Sequence, residues 1–253
     1  LDRIGDLVLS LPSIRAIRQR FPDARISVMT RPATQEILDG HPDLDEVIPY
    51  HYEKKGRHCF FLGYFRFLRE IARRHFDIAF VLHPSVRSHL LPFLAGIPYR
   101  IGFNSQLPFL LTKKVPDRRH EGRRHESDYT LDVVRAFGVE AFRNQEGGLP
   151  VYPDQMQEIL KFFSEAGWKD QDSLIVLHPG ASCPSKRWPK ERFAELAKKI
   201  LSEFPHPIVI IGGAEEKKDG EFLKSILGED VLDLTGRLSL KQLAALLKRA
   251  DLL

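Results

Sequence analysis

Leu174-Ile175-Val176-Leu177-His178-Pro179-Gly180-Ala181-Ser182-Cys183-Pro184-Ser185-Lys186-Arg187-Trp188-Pro189 decides the fold class of this 253-residue chain. Its first four residues are a short apolar run that reads as a buried strand. Loop chemistry follows, and residues 189–204 continue with helical spacing. The same order recurs outward. Residues 208–211 predict a strand running into Gly212-Gly213, Phe222 and Ile226 a helix, and residues 231–234 another strand. Ser239 with Gln242 makes a capping box for a helix to Ala250, after which Asp251-Leu252-Leu253 begins one more strand.

Toward the amino end, Leu7, Leu11, Ile14, Ile17 and Phe21 follow helical spacing, and residues 26–29 and 47–48 are short strand candidates. A helix is expected over 63–74, a buried strand over 77–82, and a helix over 85–95 ended by Gly96. Ser127 is the expected N-cap of a helix over 127–137. Such alternation argues for α/β layers with parallel sheets. Gly147-Gly148-Leu149-Pro150-Val151-Tyr152-Pro153 interrupts it as a hinge, with domains 1–150 and 151–253 on either side, and Asp154 is expected to cap the next helix.

Hydrophobic residues make up 43% and charged residues 28%, the balance of a globular protein with a core. No apolar run is long enough to span a bilayer as a helix. The two cysteines, Cys59 and Cys183, have no metal-ligand spacing, so a reduced, cytoplasmic setting is expected. Net charge is +4. Lys113, Lys114, Arg118, Arg119, Arg123 and Arg124 face only Asp117 and Glu121 in their stretch. That cluster suits an anionic partner or a solvated loop; no nucleic-acid module accompanies it, so nucleic acid is not expected.

Four places could carry chemistry. Asp6 follows Gly5 at a helix N-terminus and could accept a proton from an attacking hydroxyl, or it could be a capping aspartate. In the 180–189 loop Gly180 permits close backbone approach, Ser182 and Ser185 offer hydroxyls, and Lys186 offers a cation to phosphate. Pro189 would open the following helix. The loop is neither a Walker loop nor a dinucleotide fingerprint. Glu215, past the 208–211 strand, could hold ribose hydroxyls or belong to the exposed run 215–219. His83, Arg87 and Arg100 surround the end of the 77–82 strand. Arg87 is a candidate for an anionic acceptor, and Arg100 could serve likewise or pair with a surface carboxylate. Phe60, Phe61, Tyr64, Phe65 and Phe67 read as core, with membrane contact beside Lys54, Lys55 and Arg57 as the alternative; Trp188 reads as packing.

In this order the residues resemble glycosyltransferase family nine, the ADP-heptose:lipopolysaccharide heptosyltransferases. The resemblance rests on Arg3-Ile4-Gly5-Asp6-Leu7-Val8-Leu9-Ser10-Leu11-Pro12 and on His178-Pro179-Gly180 through Lys186-Arg187-Trp188-Pro189. Gly212-Gly213-Ala214-Glu215 and Leu234-Thr235-Gly236-Arg237-Leu238-Ser239-Leu240 extend it. It implies an α/β fold of GT-B architecture: two Rossmann-like domains facing a cleft, the first for the acceptor and the second, incomplete here, for the nucleotide-sugar donor. By that resemblance Asp6 matches the catalytic base. Gly180, Ala181, Ser182 and Lys186 match the donor-phosphate loop, and Glu215 the ribose contact. Thr235, Gly236 and Leu238 fall at the adenine edge, while Arg87 takes the place of a basic residue that meets the acceptor; Arg100 is added as an acceptor contact from its place near the strand end alone.

The reaction implied is inverting transfer of a heptose from ADP-heptose to the anionic lipopolysaccharide inner core, without metal or cofactor. The expected place is the cytoplasm, peripheral on the inner face of the inner membrane. Family members carry a strand before Arg3. After Leu253 they carry an acidic residue, a Ser or Thr, a Gly and a nearby His, so the chain reads as a fragment truncated at both ends. A non-catalytic nucleotide- or glycan-binding module, and a GT-B sugar-nucleotide epimerase, stand as alternatives.

Overall fold

The computed structural model describes residues 4–52, 56–58, 61–142, 148–169, 173–181, 183–204 and 206–253. The expectations at Arg3, Lys54, Lys55, Cys59, Phe60, Gly147 and Ser182 lie outside the described residues, as does the side chain of Phe61. The chain forms two compact units, Leu1–Leu149 and Pro150–Leu253.

The second unit is the simpler. Strands β6 (Ile175–Leu177), β7 (Ile208–Ile210) and β8 (Val231–Asp233) pair in parallel with β7 central, Ile175 opposite Ile208 and Ile208 opposite Val231. Every residue of β6 and β7 is buried, as a parallel sheet covered on both faces requires. Alternation sends successive side chains to opposite layers. Val176 and Val209 pack toward Ile159 and Phe163 of α6 (Pro153–Glu165) and Leu246 of α9 (Leu240–Arg249). Ile175, Leu177, Ile208 and Ile210 pack toward Ala194 and Ala197 of α7 (Lys190–Glu203) and Leu223 of α8 (Lys217–Leu227). The extension expected at the last residues is present: Leu252 bridges Ile175 in parallel, and the Val176 N–H donates to the Leu252 carbonyl at 2.8 Å.

The first unit divides its parallel strands between two sheets. β1 (Ser27–Thr30) pairs with β2 (Glu46–Pro49); β3 (Ile78–Val81), β4 (Tyr99–Phe103) and β5 (Lys113–Val115) form the other sheet around β4. One apolar cluster gathers Ile48 and Tyr50 with Phe67 and Ile71 of α3 (Phe61–Ala72) and Leu91 of α4 (Val86–Leu94). Another joins Ala16 of α1 (Ile4–Arg20) to Leu131 and Val134 of α5 (Glu126–Arg135). Among the described residues no helix is long and apolar enough to cross a membrane.

Several local expectations need correction. Helix α5 starts at Glu126 with His125 as N-cap, because the His125 ring accepts the Ser127 N–H at 3.3 Å; Ser127 is buried inside the first turn. Tyr152, not Asp154, is the N-cap of α6, since Pro153 takes the first helical position and needs no N–H partner. Pro189 is the N-cap of α7, one place earlier than expected. Helix α2 (Pro32–Leu38) and strands β4 and β5 were not anticipated. In β5 the exposed pair Lys113-Lys114 reads as a charge run, yet it belongs to a sheet edge, where lysine discourages further pairing.

The aromatic stripe also divides. Phe67 is 2% exposed and Tyr64 half-buried, whereas Phe65 is 48% exposed on the outward face of α3.

Candidate functional site

In the first unit the candidate base, Asp6, is half-buried in the first turn of α1, where unsatisfied amides favour a carboxylate. Its turn is fixed from below. Buried Ser10 donates its hydroxyl to the Asp6 carbonyl at 2.8 Å, and His83 Nε2 lies 2.8 Å from the same hydroxyl oxygen. A serine has one proton to give and it goes to the carbonyl, so His83 donates through Nε2. His83 follows β3; the brace therefore ties the first turn of α1 to the carboxyl end of the neighbouring sheet. From α5, Thr130 supports the same helix: its hydroxyl lies 3.3 Å from Ser13.

Arg87 is exposed in the first turn of α4, with its guanidinium 5.0 Å from the centre of the Tyr52 ring. Arg31, one residue past β1, rests on the same ring at 5.4 Å. Beside them the Tyr64 hydroxyl is buried without a hydrogen-bond partner among the described residues. Burial pushes that phenol up, against the opposing pull of the Arg87 charge. Two cations and a phenol thus collect where β1 and β3 end, the side on which open α/β sheets bind ligands. Arg31 was not singled out from the sequence, though its place directly after a strand is the signal that marks it.

In the second unit the loop after β6 contains a 3-10 turn, Pro184–Lys186, that leaves Lys186 exposed. Gly180 leaves room for the Glu216 side chain: a Cβ there would stand 2.6 Å from Glu216 Cγ, so one of the two would have to move. The Glu216 carboxylate accepts the Gly213 N–H at 2.8 Å and faces Arg187 at 3.5 Å. Glu216 therefore stitches the Gly180 loop to the Gly212-Gly213 turn, while Glu215 beside it points to solvent. The sequence reading missed Glu216, although glycine followed three residues later by glutamate is the spacing at which a side chain reaches back to an N-cap amide. Gly236 adopts φ +65, and its N–H donates to the Gly212 carbonyl at 2.8 Å. The 180, 212–215 and 235–236 segments are thus brought together at the carboxyl end of the second unit's sheet.

Glycosyltransferase family 9 (heptosyltransferase) matches residues 64–253. The chain belongs to this family. Lipopolysaccharide heptosyltransferase 2 of Salmonella typhimurium is 26% identical, the alignment taking in 96% of this chain and 72% of that protein. The Escherichia coli protein of the same name is 28% identical over 90% of this chain and 66% of its own length. Among solved structures, the family 9 glycosyl transferase of Veillonella parvula superposes with a TM-score of 0.87 at 26% identity, covering 99% of this chain and 72% of that one. The ADP-heptose LPS heptosyltransferase II of E. coli shares the fold at a TM-score of 0.77 and 24% identity, over 99% and 75% of the two chains. The fold is GT-B, and the protein is a glycosyltransferase of the heptosyltransferase family.

Within this family 9 chain three assignments change. Arg100 does not face an acceptor: its guanidinium donates to the carbonyls of Leu110 at 2.7 Å, Pro98 at 3.2 Å and Ile97, and covers Phe93, bracing the start of β4. Thr235 is 2% exposed, and both its hydroxyl and its N–H donate to Asp233, at 2.8 and 2.9 Å. Its side chain holds the turn and cannot reach a ligand. The Ser185 hydroxyl is engaged with Cys183 Sγ at 3.0 Å and draws the thiol below its ordinary range, rather than waiting for phosphate. Leu238 packs at the rim of the α6–α9 core layer. Trp188 is 46% exposed and meets Phe193 edge-on.

Proposed function

We propose that the protein transfers a heptose from ADP-heptose to the inner core of lipopolysaccharide, on the cytoplasmic side of the membrane, with inversion at the anomeric carbon. The family match over 64–253 carries the reaction class. An acceptor hydroxyl forms a bond to the anomeric carbon as the bond to the diphosphate oxygen breaks, and ADP leaves with that electron pair. The hydroxyl proton passes to the Asp6 carboxylate, which the Ser10–His83 brace supports through the turn of α1. Arg87, beside Arg31 on Tyr52, meets the acidic acceptor.

The donor half is assigned to the second unit. Lys186 and the amides of Gly180 and Ala181 take the charge that develops on the diphosphate, the electrostatic work on which such a step depends. Exposed Glu215 is oriented by the turn that Glu216 stitches and accepts from the ribose hydroxyls. Gly236 offers backbone to the adenine edge, with Leu238 behind it. As written, the step uses no metal and no organic cofactor.

The test is a pair of variants. Asp6→Asn keeps shape and removes the base, so kcat should fall by about 10²–10⁴ while ADP binding is unchanged. Lys186→Ala should weaken ADP binding measured by calorimetry. Full turnover in Asp6→Asn would take the base away from this residue, and ADP affinity intact in Lys186→Ala would take the diphosphate away from this loop.

A further inference from the structure

We propose that the outward face of α3 seats the protein on an anionic phospholipid surface. Leu62, Phe65, Arg66 and Arg69 recur at the spacing of one helical face, Arg73 continues it just past the helix end, and all are exposed. Leu62 is 82% exposed and Phe65 48%. The opposite face is spent on the core, with Phe67 and Ile71 buried against Ile48, Tyr50 and Leu91. An outward helix face in water is expected to be polar throughout. Here its first turn carries two large apolar side chains and its later turns carry arginines. That is the pattern of a helix lying in a lipid interface, apolar groups among the acyl chains and guanidiniums at the phosphates.

Charge selects lipid over another apolar occupant. Glu70 is the one acid in α3, and it is already bonded to Arg74 at 2.8 Å, so it does not neutralise the arginines on the outward face. All of the net positive charge of the protein falls within residues 1–149. Position agrees. Tyr64, in the same first turn as Leu62, packs on the same apolar cluster as Tyr52, whose ring carries Arg87 at 5.0 Å, so the apolar end of α3 lies near Arg87. Seating this face would bring a membrane-anchored glycan to Arg87. The inference rests on the reading that the acceptor is such a glycan.

The test is co-sedimentation of the protein with phosphatidylcholine vesicles, with and without phosphatidylglycerol. The protein is compared with Leu62→Ser/Phe65→Ser and with Arg66→Glu/Arg69→Glu. The protein should bind the anionic vesicles selectively, and each double variant should lose about tenfold or more in partitioning. Transfer to a delipidated, water-soluble acceptor should be unchanged in both variants, which also reports that they fold. Equal vesicle binding by the variants, or no binding by the parent protein, overturns the proposal. So does a dimer in light scattering that Leu62→Ser/Phe65→Ser dissolves, since a second copy then covers the face. Absence of transfer to the soluble acceptor by the parent protein would count against the functional reading alone.

Discussion

Gly180 and Glu216 illustrate how much of a site a single atom can decide. The Glu216 carboxylate occupies the room that any side chain at 180 would need, so Gly180→Ala must displace either the loop or the carboxylate. Displacing the carboxylate breaks its bond to the Gly213 amide. The expected outcome is a loss of ADP affinity of about tenfold, read by titration, because a backbone cradle must hold its shape to bind phosphate. Unchanged affinity would mean that the loop does not meet the donor.

The same residues mark what could be read in advance. Asp6, Gly180 and Lys186 were singled out by residue type and order, and the structure places them, respectively, in the first turn of α1, against Glu216 and exposed in the loop after β6. Glu216 stands in a run of charges from which Glu215 was singled out by its place after the strand, and the glycine-to-glutamate spacing that marks Glu216 was passed over. Arg100 misled for a related reason. A cation near a strand end suggests a ligand, but its partners are carbonyls of Ile97, Pro98 and Leu110, brought around it by the folding of β4 and the turn before β5.

Among the elements, the link between β5 and α5 carries a pH-dependent ion pair. Arg119 grips Asp117 through two bonds, at 2.9 and 2.7 Å, while Ser105 donates to the same carboxylate. The guanidinium holds the Asp117 carboxyl down at about 2. The folded state thus binds this proton less readily than the unfolded chain. The stabilisation is complete above the ordinary carboxylate range and disappears as pH falls toward 2. Asp117→Asn should lower stability at pH 7 by on the order of 1 kcal/mol after solvent screening, with the gap closing near pH 2 in urea titrations. A gap that persists at pH 2 would assign the effect to packing.

At the other end of the chain, Ser239 and Gln242 cap α9 reciprocally, with bonds of 3.2 and 2.7 Å, and Gln242 reaches Glu158 of α6. Ser239→Ala should cost about 1 kcal/mol in thermal or urea unfolding. A variant as stable as its parent would show that other contacts hold the start of α9. This cap was legible because all its parts lie within four residues. The His125 cap was not, since histidine is an uncommon N-cap and the nearby Ser127 is a common one.

For the whole molecule, the alternation of strand and helix was enough to give parallel α/β layers, because buried parallel strands such as β6 and β7 read as continuous apolar runs. The short strands of the first unit were harder. β5 has one buried residue in three, so its apolar signal is weak. The family match and the likeness to the Veillonella parvula enzyme supply the reaction class that the residues alone left open between a transferase, a binding module and an epimerase. The measurement that bears most directly on the account is transfer itself. The protein is incubated with ADP-heptose and a lipopolysaccharide core lacking the outer heptose, with ADP release and acceptor mass followed together. The account predicts one heptose added per ADP released, with inverted anomeric configuration, and both signals lost in Asp6→Asn. Conversion of ADP-heptose without any gain in acceptor mass would contradict it.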